Sequence, residues 1–190
     1  RSTLFPYTTL FRSSTDALKE TIEDQLVRAD VLITTGGLSV GQGDTVKDVL
    51  APLGSVRFDA VAMSPGRQLG VGTVEGTPIF CLPGDPVSAQ IAFETFVRPV
   101  LRQIAGWSAL HRSSLPATVS AGWRSPAGKR EFVPVHLTGS PTKGYRASPV
   151  AAPGTTPLLG LARANAIAVV PEDTRTVVAG DRLHCLLLDA

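Results

Sequence analysis

Twice in this sequence an apolar, β-branched run ends in a glycine-containing loop that opens onto a capped helical pattern. The first is "DVLITT", followed by "GGLSVGQG" and "DTVKDVLAPLG"; the second is "TPIFCL", followed by "PG" and "DPVSAQIAFETFVRPVLRQIAG". A strand running into a helix, repeated along the chain, predicts an α/β unit with a parallel sheet. "DVLITT" has the continuous apolar character of a strand buried on both faces. Ahead of it, "STDALKETIEDQLVRAD" offers Ser14, Thr15 and Asp16 as caps, then Leu18, Ile22 and Leu26 (or Val27) at helical spacing. Asp44 is placed to cap the next helix, with Val46, Val49, Leu50 and Leu53 on one face and Gly54 as its stop. "SVRFDAVAM" alternates as one strand, while "LGVGTV" and "TPIFCL" read as two strands joined at "EGT". The last helix of this half is capped by Asp85, carries Pro86 at its first position and ends at Gly106; Pro99 inside it is expected to kink or split it near Arg98.

After Trp107 short β-rich runs alternate with Pro, Gly and Ser turns: "LPATVSAGW", "REFVPVHL", "GYRASPV", "NAIAVVP" and "DRLHCLLLDA", with one short helix, "TPLLGLARA". That spacing suits a small β-barrel or sandwich. The expected organisation is an α/β domain over residues 14–106 and a separate mostly-β domain over 107–190. Residues 3–13, "TLFPYTTLFRS", resemble the translation of a sequencing-adapter primer, so 1–13 are read as a foreign leader and the chain as a piece of a longer protein.

Composition narrows the partners. Apolar residues make up 43% and charged residues 18% of the 190, as in a globular protein. Eighteen basic residues against 16 acidic ones leave a net charge of +2 with no Lys/Arg block, which argues against nucleic acid as a partner. No apolar run approaches the ~18 residues of a membrane span. Cys81 and Cys185, both in strand-like runs, fit buried reduced thiols, and with them a cytoplasmic location.

Both loops leave the carboxyl end of a strand, the edge where open α/β sheets bind ligands. Their backbone amides and small residues (Thr35, Gly36, Gly37, Ser39 and Gly41 in one; Gly84, Asp85 and Ser88 in the other) suit an anion. Neither G-x-G-x-x-G nor G-x-x-x-x-G-K-[ST] is present, which argues against a Rossmann or Walker site. "GLSVG" at 37–41 does fit the G-x-S-x-G nucleophile elbow, with Ser39 as nucleophile and His111, His136 or His184 as base. An elbow, however, turns straight from strand into helix, and here the helix starts only near Asp44. A plain turn with a helix cap is the third reading. Asp44 is suited both to capping and to sharing Mg²⁺ with a phosphate or oxyanion.

"ADVLITTGGLSVGQGDTVKDVL", "MSPGRQLGVG" and "CLPGDPVSAQIAFETFVRPVL" resemble, in order and spacing, the molybdopterin molybdenumtransferases of the MoeA and gephyrin E-domain type. "GKREFVPVHL" through "LLGLARANAIAVVPEDTRTVVAGDRLHCLLL" is similar to their C-terminal β domain, so the likeness covers 14–190. The resemblance implies a truncated three-layer, MogA-like α/β domain followed by a barrel-like domain. It implies Mg²⁺-dependent insertion of molybdate into adenylylated molybdopterin with release of AMP, in a cytoplasmic homodimer. It assigns Asp44 to the Mg²⁺ and phosphate loop and to catalysis, with Ser39 and the loop glycines around the pterin phosphates. Pro65, Gly66 and Arg67 of "PGR" would stand at the oxyanion with Ser88 close by, and Lys129 or Arg130 would face the same cleft. Arg67 stands where the family more usually has lysine, Gln68 replaces a proline, and Asp85 replaces the commoner asparagine. The family's N-terminal domains and first α/β strands would precede this chain, which is therefore not expected to turn over alone. A pterin-binding or scaffolding relative without catalysis is the alternative within the family.

Overall fold

The computed structural model describes residues 15–38, 45–152 and 158–188. The first part holds helix α1 (Thr15–Leu26), strand β1 (Leu32–Thr35), α2 (Thr45–Leu50), β2 (Ser55–Ala60), β3 (Met63–Ser64), β4 (Gln68–Val74), β5 (Thr77–Leu82), α3 (Pro86–Ala92), a π-helical turn (Phe93–Val97) and α4 (Arg98–Ile104). Four of these strands form one sheet in the order β1-β5-β4-β2. β5 sits at its centre because every second residue is claimed by a different helix layer. Ile79 and Cys81 pack with Leu18, Ile22, Val46, Val49 and Leu50 of α1 and α2. Phe80 and Leu82 pack with Ala92 and Val97 on the other side, so helices cover both faces.

Three expectations need correction. The sheet is mixed: β1 pairs with β5 in parallel, but β5–β4 and β4–β2 are antiparallel, since the short "EGT" turn closes a hairpin. β1 is not buried on both faces; among the described residues it pairs only with β5, and Ile33 stays 38% exposed. "SVRFDAVAM" is not one strand either. It breaks after Ala60, and β3 leaves for the other sheet.

The long helix breaks as its proline requires. Pro99 has no N–H, and its ring clashes with the carbonyl four residues back; the preceding turn widens into a π-turn in which Arg98 N–H donates to Phe93 O. Past it the chain forms β6 (Ser114–Val119), β7 (Trp123–Arg124), β8 (Arg130–Ser140), β9 (Gly144–Pro149), α5 (Leu158–Arg163), β10 (Ala166–Val170), β11 (Thr176–Val177) and β12 (Arg182–Leu187). The sheet β10-β12-β6-β9-β8-β3 closes on itself because β10 also pairs with β8, which makes a barrel. "LPATVSAGW", read as one run, divides into β6 and β7, and β7 pairs with β11 outside the barrel. The barrel core holds Val119, Val133, Val135, Ala166, Val170, Val177 and the buried Cys185 thiol.

Two features join the halves. Met63, Val87, Ile91, Phe132 and Ile167, from β3, α3, β8 and β10, share one apolar cluster. On its flank Arg112 forks onto Glu94, with Nε–Oε2 at 2.9 Å and Nη2–Oε1 at 3.0 Å, and donates from Nη1 to Leu188 O at 2.6 Å. Arg98 stands 3.6 Å from the same carboxylate and donates to Leu110 O.

Candidate functional site

The parallel pairing of β1 and β5 runs past Thr35↔Leu82, since Gly36 N–H donates to Leu82 O at 2.9 Å. That contact carries both strands into their loops side by side and sets Gly36 against Gly84. A Cβ on Gly84 would lie 3.2 Å from Gly36 Cα, so the loops touch backbone to backbone and a side chain there would push Gly36 aside by a few tenths of an ångström. Gly36 holds φ at +87°, a conformation that L side chains avoid. One turn further on, Asp85 Oδ1 accepts the Ser88 N–H at 2.8 Å, and Pro86 follows at the first helical position, which is the expected cap of α3. Ser88 is buried against the third loop. Gly66 (φ +86°) lies so near that a Cβ on it would be 3.0 Å from Ser88 O. The 64–65 peptide of that "SPGR" loop is cis.

The C-terminal half reaches the same place through β3. Its register on β8 is Met63↔Arg130 and Ser64↔Glu131, and Arg130 N–H donates to Ala62 O at 3.0 Å. A two-residue strand of the first half is thus added to the barrel with Arg130 beside Ala62 and Met63; the parallel register carries Pro65 on past Glu131, and the loop returns so that Arg67 O accepts the Val61 N–H at 2.7 Å. The structure sets Gly36 against Gly84, and Gly66 and Asp85 against Ser88, while Thr35 pairs with Leu82 at the end of β5 and the start of β8 connects to the third loop only through β3. Gly37 (φ +69°) packs away from that chain of contacts, toward Val46. Ser39, Gly41 and Asp44 lie outside the described residues.

Charge is distributed unevenly over this rim. The side chains of Arg67 (exposed) and Lys129 (half-buried) make no hydrogen bond or ion pair among the described residues. Arg130 is engaged: its Nε donates to Glu172 Oε2 at 3.1 Å and its Nη2 lies 3.0 Å from the same oxygen and 3.3 Å from Oε1. A hydrogen bond from its own backbone, and after it the Arg130 guanidinium, hold the Glu172 carboxyl below the usual range. Glu172 went unmarked in the sequence because its nearness depends on strand register. Val170↔Glu131 is the last β10–β8 pair, and two residues later the chain has turned back over Arg130. Glu131 was missed for the same reason; it is buried and accepts the Trp123 indole N–H at 2.9 Å.

Among the described residues no three His, Cys, Asp or Glu side chains gather as a metal site. Asp85, the one site carboxylate described on this sheet edge, is committed to its helix cap. The described residues thus supply no donor set for Mg²⁺. A hydrolase would need a base beside Ser39. His111, His136 and His184 are exposed, on the linker, β8 and β12, and α2 begins only at Thr45. No helix among the described residues is long and apolar enough to cross a membrane.

Residues 7–103 match the family model "Probable molybdopterin binding domain", a match that starts inside the segment read as a leader, and residues 116–188 match "MoeA C-terminal region (domain IV)". Molybdopterin molybdenumtransferase 2 of Mycobacterium tuberculosis is 40% identical over 164 residues, covering 83% of this chain and 40% of that protein. The molybdopterin molybdenumtransferase of a Nostoc species is 33% identical over 186 residues, covering 94% of this chain and 42% of its own. The chain therefore spans about two fifths of the curated relatives it matches. Among solved structures, a molybdopterin biosynthesis MoeA protein from Pyrococcus horikoshii superposes with a TM-score of 0.77 at 25% identity, over 93% of this chain and 42% of that one.

Proposed function

The chain belongs to the molybdopterin molybdenumtransferase (MoeA) family, and from that premise we propose that it forms the cofactor-binding part of an enzyme that inserts molybdate into adenylylated molybdopterin with release of AMP. The observation that supports this is that three loops are in close backbone contact in series, Gly36 against Gly84 and Gly66 against Ser88, and that the strand leading into the third loop, β3, pairs with the start of β8. In this reading residues 14–106 supply the cradle and 107–190 the rim. The substrates are a phosphorylated pterin and an oxyanion. Close-packed glycine loops present backbone N–H groups to phosphate oxygens. Arg67 presents a planar fork that takes two oxygens of a tetrahedral dianion, and Lys129 adds a mobile point charge. Ser88 and Asp85 hold the second loop in shape beneath them.

Mg²⁺ dependence, with Asp44 as ligand, belongs to the same proposal; a bound Mg²⁺ would neutralise phosphate charge during displacement of AMP. The proposed setting is a cytoplasmic homodimer. The test is to add adenylylated molybdopterin to the chain and follow binding by pterin fluorescence, and to supply molybdate and Mg²⁺ while measuring AMP with the chain joined to the remaining domains of a family member. Binding by the chain that is weakened by Arg67→Ala, and AMP released by the joined protein only when molybdate is present, are the expected results. Binding without AMP release from the joined protein would make this chain a pterin-binding platform, and no binding would refute the reading.

A further inference from the structure

Arg130 meets the rim of the site already engaged, and the form of that engagement carries an inference that rests on the reading above. Glu172 offers two carboxylate oxygens to the guanidinium fork, at 3.1 and 3.3 Å, in the planar arrangement that an oxyanion would also adopt. Both partners are more than half exposed, at 53% and 55% of their side-chain surface, so neither is locked by packing. Pairs of this exposure contribute little to stability, and opening one costs correspondingly little. Glu172 stands in the turn after β10, and its carbonyl also accepts from Gly128 N–H, so the carboxylate is moored to the loop that carries Lys129 and Arg130. Nearby, Arg67 and Lys129 have no such partner among the described residues.

We propose that Glu172 is a resident competitor for the anion subsite at Arg130, a carboxylate that occupies the guanidinium fork until a dianion displaces it. A monoanion holds the fork against other monoanions but yields to a doubly charged oxyanion, because attraction to the fork scales with charge. Glu172 thereby sets how strongly the rim discriminates among anions, at the expense of affinity for the dianion. The site begins with two available cations, Arg67 and Lys129, and recruits a third only when the incoming charge is large.

The experiment is calorimetric titration of molybdate, with sulfate as a generic dianion and chloride as a monoanion, into the whole chain. The variants are Glu172→Gln, Arg130→Ala and the double variant. Glu172→Gln keeps the shape and removes the charge, and being exposed it leaves the melting curve as a folding control. The expected result is molybdate bound about three- to fivefold more tightly by Glu172→Gln at low ionic strength, as for the loss of an exposed ion pair. That gain should shrink as salt is added and vanish in the Arg130→Ala background. Unchanged or weaker dianion binding by Glu172→Gln would overturn the proposal and make Glu172 a positioning partner of Arg130. A wild-type chain that binds sulfate as well as molybdate would count against the molybdate reading alone, with the Glu172 effect still measurable on sulfate. A chain and variants that bind no dianion would overturn both.

Discussion

The four-stranded sheet and the barrel bury their strands to different degrees, and the proposed site follows that difference. The barrel closes through β10–β8 and keeps its core side chains, from Val119 to Cys185, almost wholly out of water. The α/β sheet has no such closure among the described residues: Ile33 of β1 and Val71 of β4 remain 38% and 39% exposed. Its carboxyl edge is built from glycine contacts and one side-chain cap rather than from packed side chains. Closed, packed structure resists rearrangement, whereas glycine-lined loops let a ligand approach the backbone closely. In the proposed reading the barrel would supply a scaffold for two cations and the open edge the cradle.

Substitutions that separate core from edge sharpen this contrast most. Ile79→Ala, in the fully buried centre of β5, is expected to cost ~2–5 kcal/mol, whereas Ile33→Ala on the half-exposed strand should cost under ~1 kcal/mol. Urea unfolding of both variants checks the ratio; equal losses would mean that β1 is covered in solution. The junction comes next. Arg112→Met leaves Glu94, whose side chain is only 8% exposed, with Arg98 at 3.6 Å as an ion partner. Breaking a buried pair in this way is expected to cost ~3 kcal/mol and to loosen barrel and sheet from one another, seen as two unfolding transitions by calorimetry.

Much of this division was legible beforehand. The capped helix at Asp85, the break at Pro99 and the change of texture after Trp107 follow from local chemistry that a short window contains. What escaped depends on pairing over long separations. Nothing in "AVAMSP" marks Met63 and Ser64 as a strand of the barrel, because their partners lie 67 residues away at Arg130 and Glu131. The exposure of β1 escaped for a related reason, since an apolar run reports that a strand can be buried, not what covers it. For the candidate site, the motifs named Gly36, Gly66, Gly84 and Ser88, which the structure places in contact as pairs; the Arg130–Glu172 pair could not be read ahead, because it forms only where two strand ends converge.

A pH titration compares the two halves more finely. Burial raises the Cys185 thiol in the barrel from its ordinary 9.0 to about 11, and Cys81 in β5 is raised in the same direction, with the Thr34 hydroxyl opposing. A raised thiol pKa means that the folded state keeps a proton which the unfolded chain gives up first. Stability is therefore whole below pH 9 and falls as pH climbs toward about 11, by roughly 2–3 kcal/mol for Cys185. Cys185→Ala should flatten that decline in a series of urea melts, and an unchanged slope would assign it to other groups. The smallest effect is expected at the cap. Asp85→Ala should cost ~1 kcal/mol and Asp85→Asn almost nothing in thermal melts, since either side chain can accept the Ser88 N–H.

Hydrogen exchange in the presence and absence of adenylylated molybdopterin and molybdate tests the central claim, a single site shared by the open edge and the barrel rim. Amides of residues 36–38, 66–67, 84–85, 87–88 and 129–131 should slow together on adding both ligands, while the core strands β6 and β9 stay unchanged. Protection confined to one of these segments, or centred on the far side of the barrel, would contradict a shared site.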